Sequence, residues 1–316
     1  MKLNFYLTIL FLVPTCLFSQ NSNDKTVYLD SLWKETTKEN HKYYRIIKDH
    51  NIEKDSYKVY EYYKSGKLEM EGTSSTKENL TREGEFIFYY ENGNKESVEN
   101  YVKSKLNGKL YKWYENGNKR LEGEYIQDDK TISGKLKFLQ CWNENGKQTV
   151  VDGNGYYESN DKYYLNKGEI KDGFKNGVWT GVSYQNKYTY SEKYKNGLMI
   201  SGLSIDDDGT RHEYFVMDLQ PQPKKGIQDF YNYIGKKFKY TKESIKNDIK
   251  GKIIVQFVID RDGKIVEPKI LKSLGYGLDE EAIRVITKYK DWIPGEQRGR
   301  KVRVLYSIPI VLAGIK

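Results

Sequence analysis

The chain has 316 residues and a formal net charge of +9 at pH 7. This length suggests two domains, or one domain joined to a repeat array. Tyrosine is abundant, with 29 copies, whereas aliphatic residues are few outside the two ends of the chain. An aliphatic core is therefore excluded for the middle of the chain, which must pack aromatic rings instead.

The amino terminus has the pattern of a secretory signal. Lys2 precedes an apolar run from Phe5 to Val13, which is too short to span a bilayer comfortably, and polar residues follow from Ser19. We predict cleavage near Ser19 and a soluble, periplasmic mature protein, because no second apolar stretch follows. Two alternatives stay open: the segment remains as a membrane anchor, or Cys16 is lipidated.

One cysteine, Cys141, remains after such cleavage. Export normally permits disulfide bonds, but a single cysteine cannot form an internal one. The mature fold is therefore expected to depend on packing alone.

A tyrosine-rich unit recurs between residues 56 and about 203. Each copy has an aromatic strand, an Asn-Gly or Ser-Gly turn and a returning strand, which is the signature of a β-hairpin. The turn glycines are separated by 27, 24 and 29 residues and are Gly66, Gly93, Gly117 and Gly146. Similarity at a nearly fixed period predicts stacked units, and after Gly153 the repeats become degenerate.

These units, together with the segments Leu106 to Tyr111 and Phe174 to Gly181, resemble bacterial MORN-like repeats. The resemblance implies a long meander of antiparallel hairpins. Apolar residues of the preceding lead-in, such as Trp33 and Tyr43, are expected to cap the first hairpin, because a terminal repeat must close the open end of a stack.

The segment from Pro221 to Gly226 is predicted to be a linker, because its two prolines and its glycine disfavour both helix and sheet. Composition and charge also change there, so we expect separable folding units on either side. The predicted organisation is a signal peptide over 1–19, a lead-in over 20–55, hairpin repeats over 56–220, a linker over 221–226 and a C-terminal domain over 227–316.

The last 65 residues carry the clearest pattern of elements. Alternating apolar residues predict a strand over 252–260, a tight turn at Gly263 and a second strand over 264–271. Helical spacing then predicts an amphipathic helix from Leu278 to Tyr289. A final apolar strand is predicted from Lys301 to Ile310.

This hairpin, helix and closing strand resemble the TonB C-terminal domain, from about Lys237 to Lys316. The motifs that carry the resemblance occur in the same order with compatible spacing, and are Phe257 to Gly263, Ser273 to Gly275, Leu278 to Ala282 and Trp292 to Gly295. The resemblance implies a small α+β domain that adds a segment of an outer-membrane transporter, or of another envelope protein, as a strand beside its last strand.

Matching positions place partner binding on the final strand, at Arg303, Leu305, Tyr306 and Ser307. An unpaired strand edge attracts another strand. Pro309 removes one donor near the end of that edge, which favours a short docked peptide.

Basic residues are concentrated in the C-terminal domain. From Gly226 to Lys316 there are 19 Lys and Arg against 11 Asp and Glu, whereas the preceding residues balance at 34 against 33. An anionic cell-wall polymer, lipid headgroups or an acidic protein partner fits this surface. Nucleic acid is not expected as a partner, because the sequence has none of the usual recognition modules. The alternative is that the cations only solvate the surface.

No catalytic or cofactor motif is evident. His41, His50 and His212 lack metal-ligand spacing, and the chain has no nucleophile elbow, phosphate loop or dinucleotide fingerprint. We therefore expect no cofactor, no metal and no enzymatic activity. An unrecognised hydrolase would require polar residues that only folding brings together.

Three other features have structural interpretations. Glu91 and Glu115 each precede an Asn-Gly turn. We therefore interpret them as polar residues that keep the hairpin tips soluble, and not as paired catalytic acids. The segment Asp206 to Gly209 lacks the spaced ligands of a calcium-binding loop, so we expect it to form a turn. Most of the repeat tyrosines are expected to fill the core, although a row of rings could also bind a glycan or a peptide.

The sequence thus predicts a β-rich array of stacked antiparallel hairpins followed by a small α+β domain. The expected function is that of a periplasmic, non-enzymatic binding protein that contacts outer-membrane transporters and supports energy-dependent transport. The alternative is a structural protein of the cell envelope, associated with peptidoglycan and without a transport role.

Overall fold

The computed structural model describes residues 23–127 and 134–313. The predicted signal segment and Cys16 lie outside the described residues. The chain forms two compact units. The first ends at Leu136 and also includes Glu144–Lys147, and the second contains Lys137–Asn143 and the chain from Gln148 onward.

The first unit is an antiparallel meander in which each strand pairs with the next one along the chain. Its strands are β1 (Lys25–Leu29), β2 (Tyr43–Ile47), β3 (Tyr57–Tyr63), β4 (Leu68–Ser74), β5 (Gly84–Tyr89), β6 (Lys95–Val102), β7 (Lys105–Trp113) and β8 (Lys119–Ile126). The lead-in therefore supplies a regular hairpin, β1–β2, which extends the sheet. Within it the ring of Trp33 stacks on that of Tyr43 at 4.3 Å.

The repeated turns are three-residue loops. In the β3–β4 hairpin the Tyr63 N–H donates to Lys67 O and the Gly66 N–H donates to Tyr63 O, both at 2.9 Å. Gly66, Gly93 and Gly117 have φ values of 85°, 93° and 86°, so each glycine takes the left-handed conformation that closes such a loop.

Asparagine side chains connect successive hairpin tips of the first unit. Each of these bonds runs from a side-chain amide to the backbone oxygen of the glutamate at the next tip, at 2.8–3.0 Å: Asn92 and Asn94 donate to Glu115, and Asn116 and Asn118 donate to Glu144. The predicted tip positions of Glu91 and Glu115 are confirmed, because both residues are exposed beside their turns. The stacking of hairpins is therefore a bonded contact between neighbouring repeats.

A β-bulge follows each of these turns, three residues after the glycine. The register shifts in β3–β4, β5–β6 and β7–β8 leave one extra residue in each returning strand, namely Glu69, Glu96 and Arg120. A bulge re-aims the side chain that it adds. At Glu69 the result is a carboxylate that is only 8% exposed.

The meander continues in eight strands that lie largely in the second unit. They are β9 (Lys135–Trp142), β10 (Gln148–Val151), β11 (Asn154–Asn160), β12 (Tyr164–Lys171), β13 (Phe174–Ser183), β14 (Tyr188–Lys195), β15 (Leu198–Asp206) and β16 (Arg211–Tyr214). We call the sixteen strands β1–β16 the array. The segment Asp206 to Gly209 is the β15–β16 turn, as predicted, with Gly209 at a φ of 86°.

Aromatic rings of the array lie directly over glycines of the neighbouring strand. A Cβ atom added to the glycine would come within 2.2–2.4 Å of the ring in each of four pairs: Gly72 and Phe86, Gly168 and Trp179, Gly181 and Tyr190, Gly202 and Tyr214. All four rings are buried. Aromatic rings therefore form part of the array core, as expected. Aliphatic side chains are buried there as well, so the expectation that the middle of the chain lacks an aliphatic core is wrong; examples are Val59, Leu110, Leu121 and Ile170.

The C-terminal domain is a three-stranded sheet covered by helices. Its elements are α1 (Ile227–Lys237), α2 (Lys242–Lys246), β19 (Gly251–Ile259), β20 (Ile265–Lys272), α3 (Leu278–Thr287), β21 (Trp292–Ile293), β22 (Gly295–Gln297), β23 (Arg300–Val302) and β24 (Val304–Leu312), and two short strands precede it, β17 (Asp218–Leu219) and β18 (Gln222–Pro223). The sheet order is β20-β19-β24. With this domain after the array, the predicted fold class is confirmed.

The core of the domain lies between the central strand and the helices. Alternate residues of β19, from Ile253 to Ile259, are fully buried against Leu278, Ala282 and Ile286 of α3 and Phe230 of α1. Acidic residues occupy the first turn of α3, where the helix dipole favours negative charge.

The predicted linker contains regular structure. Gln222 and Pro223 form β18, which pairs with Ile293 and Trp292 of β21, and β17 pairs with β22. Proline is tolerated in a two-residue strand at the margin of a sheet because few donors are required there. The sequence reasoning overlooked this pairing, since the partner strands come about 70 residues later. The domain boundary at 221–226 stays a prediction.

Candidate functional site

Strand β24 forms one margin of the C-terminal sheet. It pairs with β19 from Val304 to Leu312 without a register shift, and no other strand of the described residues pairs with it. Its side chains alternate: Ile308 and Ile310 are buried, whereas Leu305 and Val311 are 53% and 69% exposed. The strand therefore has a buried face, an exposed face and a free backbone edge.

Pro309 shows which backbone groups point to that free edge. Proline has no N–H, so within the uninterrupted β19–β24 ladder it must occupy a position that does not donate to β19. Positions in an antiparallel pair alternate between bonded and non-bonded, with a period of two. The N–H and C=O groups of Leu305 and Ser307 therefore point away from β19, while Tyr306 and Ile308 bond to it.

The four residues predicted as a binding site take different places. Leu305 and Ser307 are exposed on the outer face. Tyr306 instead packs inward, with its ring 5.8 Å from that of Phe257 and 5.2 Å from that of Trp292. Arg303 lies in the break between β23 and β24.

Arg303 has acidic partners within its own domain. Its guanidinium forms an ion pair with Glu267, and its Nε lies 3.6 Å from Asp260. The Glu267 carboxylate raises the pKa of Arg303 above its ordinary value. A docked partner would thus meet an arginine whose charge is already partly balanced. The binding role of all four residues stays a prediction.

A cavity of about 460 Å³ opens where β24 begins. Val302, Arg303 and Val304 line it on the strand side, and Arg261 and Asn186 line it from two turns. A segment docked along β24 would have one of its ends at this cavity.

Sequence reasoning missed a polar cluster that joins the end of the array to the β22–β23 hairpin. Arg298, at the tip of that hairpin, places Nε 2.7 Å from Oε1 of Glu192, which is only 1% exposed. The two residues are 106 positions apart. The sequence gives no signal for this pair, since each residue stands among ordinary surface charges.

Other candidate residues show no convergent chemistry. His212 lies 3.1 Å from Asp206, whereas His50 lies 3.6 Å from Glu78 and His41 contacts the backbone of Lys38. Within residues 23–127 and 134–313, no group of three or more His, Cys, Asp or Glu residues could hold a metal ion. No helix in the same ranges is long and apolar enough to cross a membrane.

Residues 236–311 match the family described as Gram-negative bacterial TonB protein C-terminal. The match supports a TonB C-terminal domain in this part of the chain. It agrees with the predicted resemblance and covers α2, β19, α3 and nearly all of β24. No curated protein matches the chain. The MORN-like character of the repeats stays a prediction, although the stacked hairpins that it implied are present.

Proposed function

We propose that the chain is a periplasmic binding protein whose C-terminal domain captures an extended segment of an envelope protein as a strand beside β24. The observation that carries the proposal is the free edge of β24 in a domain that matches the TonB C-terminal family. Main-chain hydrogen bonds supply affinity in such strand addition, and alternate side chains supply specificity.

The proposed partner is a segment of an outer-membrane transporter or of another envelope protein. Docking would use the outward N–H and C=O groups of Leu305 and Ser307, with the exposed Leu305 side chain as an apolar contact. Pro309 lacks a donor, so it limits the bonded stretch to the residues before it. A short segment of about four to six residues fits an edge of this length.

The proposed role of the array is to present this domain, and we propose that its hairpins are MORN-like repeats. The proposed localisation follows from the N-terminal signal pattern and from the TonB family match. Support of energy-dependent transport belongs to the same proposal.

The test uses proline and alanine at one position of the full chain. Ser307→Pro removes an N–H that points to the free edge and occupies the same alternation as the natural Pro309, so pairing with β19 is retained. Ser307→Ala keeps the N–H and is the matched control. The probe is a set of eight-residue peptides that tile the periplasm-facing segments of the host cell's outer-membrane transporters, with affinity measured by fluorescence anisotropy.

We expect at least one peptide to bind the parent chain and Ser307→Ala within about twofold of each other, and Ser307→Pro to bind it at least tenfold more weakly, a difference of about 1.4 kcal/mol. Circular dichroism must show that both variants are folded. Equal binding by a folded Ser307→Pro variant would exclude strand addition at this edge.

The basic surface of the C-terminal domain favours a second candidate, a structural role on an anionic cell-wall polymer. Sedimentation with purified peptidoglycan separates the two. Salt-sensitive sedimentation of the chain, without binding of any transporter peptide, would favour the structural role.

A further inference from the structure

The tip of the β22–β23 hairpin is seated on the last strands of the array. The guanidinium carbon of Arg298 lies 3.9 Å from the ring centroid of Tyr190, and Nε of Arg298 donates to Glu192. The backbone oxygen of Arg298 accepts a 2.8 Å hydrogen bond from Ser204, a fully buried residue of β15. Side-chain and main-chain contacts therefore hold the same arginine.

The other two residues of the tip fit equally closely. Arg300 lies 4.2 Å above the ring of Tyr188 and donates to Asp206 at 2.5 Å. Burial raises the pKa of Asp206, but hydrogen bonds from His212 and Arg300 outweigh it and hold the pKa below its ordinary value. A Cβ atom on Gly299 would lie 3.0 Å from a backbone oxygen of β16. The Arg-Gly-Arg tip thus matches a socket lined by tyrosines and carboxylates.

Glu192 is the buried centre of the socket. Its carboxylate accepts 2.9 Å hydrogen bonds from the hydroxyls of Tyr194 and Tyr214, in addition to the bond from Arg298. Burial lowers the pKa of Arg298, but Glu192 outweighs that effect, so the net pKa is raised and the arginine stays charged. A buried carboxylate left without a cation is strongly destabilising.

A second cation, supplied by the array itself, lies over aromatic rings beside this carboxylate. The Lys175 ammonium is 4.1 Å from the ring centroid of Trp179 and 4.9 Å from that of Tyr194, the residue that bonds Glu192. Burial lowers the pKa of Lys175 to about 8, an effect that Glu192 opposes and Arg298 increases. One buried carboxylate is therefore within the influence of two basic side chains.

We propose that Lys175 and Arg298 compete for Glu192, and that this exchange makes the β22–β23 hairpin a releasable latch between the C-terminal domain and the last strands of the array. When the hairpin is seated, Arg298 neutralises Glu192. When the hairpin moves away, Lys175 replaces Arg298 as the cation that balances the Glu192 carboxylate, while its ammonium stays near the rings of Trp179 and Tyr194. The proposal concerns the resting state of the chain and is independent of the partner of β24.

The pH dependence of the latch follows from the groups around Lys175. The charges that act on it are Glu192 of β14 and Arg298 of the hairpin, and the Tyr194 ring lies 4.9 Å from its ammonium. The hydroxyls of Tyr194 and Tyr214 in turn bond Glu192. The seated state disfavours a charged Lys175 because Arg298 repels it, whereas the released state favours the charged form. Release therefore takes up a proton, so the latch should loosen as the pH falls towards about 8 and should change little once Lys175 is charged in both states.

The experiment measures the distance between spin labels at two exposed positions, Leu198→Cys in the array and Leu271→Cys in the C-terminal domain, by double electron–electron resonance. The full chain carries Cys16→Ser, and the native Cys141 is buried and so does not react. We expect a single narrow distance distribution at pH 9 and an additional broad component at pH 6.

Two substitutions should act in opposite directions. Arg298→Ala removes the latch and should give the broad distribution at both pH values. Lys175→Met keeps the aliphatic stem but removes the competing cation, so it should give the narrow distribution at both. Lys193→Met, at an exposed position of β14, is the matched control and should behave as the parent chain.

Two outcomes would overturn the proposal. If Arg298→Ala keeps the narrow distribution, the hairpin tip does not hold the domain. If Lys175→Met broadens the distribution, the lysine supports the socket and does not compete for Glu192. Circular dichroism on each variant distinguishes release of the latch from unfolding.

Discussion

The core of the array and the core of the C-terminal domain are built from contacts of different range along the chain. In the array, buried rings lie over glycines of the adjacent strand and polar side chains connect one hairpin tip to the next. In the C-terminal domain, aliphatic residues of β19, β24 and α3 converge on one centre. The array is thus held by contacts between neighbouring repeats, whereas the domain depends on contacts between distant segments.

The largest expected change in the free energy of unfolding comes from a substitution in the core of the C-terminal domain. Ile310 is 4% exposed and its neighbour on β24, Val311, is 69% exposed. Ile310→Ala should lower the free energy of unfolding by about 2–5 kcal/mol, because it leaves a cavity. Val311→Ala, the matched control, should change it by less than about 0.5 kcal/mol. Denaturant unfolding measures both values, and equal effects would mean that the assigned faces of β24 are wrong.

A smaller change in stability is expected from Glu69, whose carboxylate is buried in the array. Burial raises the pKa of Glu69 from 4.5 to about 8, and the nearby Glu61 and Glu96 add to the shift, while Arg82 and Arg45 oppose it. The folded state therefore binds a proton that the unfolded state releases at lower pH. Stability from this group is fully present below about pH 4.5 and is lost as the pH rises to about 8.

Glu69→Gln should remove the loss of stability that the parent chain shows as the pH rises. Above pH 8 the variant should be more stable than the parent chain by about 1–3 kcal/mol, because no buried charge is left without a hydrogen-bond partner. Glu85→Gln, at an exposed position of β5, should leave the pH profile unchanged. Unfolding midpoints measured between pH 4 and pH 9 provide the comparison, and parallel profiles for Glu69→Gln and the parent chain would contradict it.

The smallest expected change in stability comes from the hydrogen bonds between hairpin tips, and it tests whether successive tips are equivalent. Asn94 and Asn118 make equivalent bonds to the next tip, so Asn94→Ala and Asn118→Ala should each cost about 0.5–1.5 kcal/mol. Lys67 occupies the corresponding position of the β3–β4 hairpin, and Lys67→Ala should cost less. Thermal unfolding measures all three, and a large difference between the two asparagines would show that the tips are not equivalent.

Sequence reasoning reached the elements whose signals are local. The turn glycines of the repeats, the β19–β20 hairpin and α3 are visible as Asn-Gly turns, alternation and helical spacing, and all of them are present within a few residues of their predicted bounds. The final strand was predicted as one element from Lys301, whereas the structure interrupts it at Arg303 and pairs β23 with β22. The α1 helix was not predicted, although it supplies Phe230 to the core.

Features that depend on distant residues could not be predicted. The inward turn of Glu69 results from a bulge whose register is set by the partner strand, and the seating of Arg298 on Glu192 joins segments 106 residues apart. In the candidate site, alternation places Leu305 and Ser307 on one face of the strand and Tyr306 on the other, but the packing of the folded domain decides which face is exposed. The pairing of Arg303 with Glu267 does not, because it requires the geometry of the folded sheet.

The central claim is that a partner adds as a strand to the free edge of β24, and residue-by-residue amide hydrogen exchange tests it most directly. In the full chain without peptide, the amides of Tyr306 and Ile308 should exchange slowly and those of Leu305 and Ser307 rapidly. With a saturating transporter peptide, exchange at Leu305 and Ser307 should slow by at least tenfold. A peptide that binds and leaves exchange at both residues unchanged would place docking elsewhere and contradict the account.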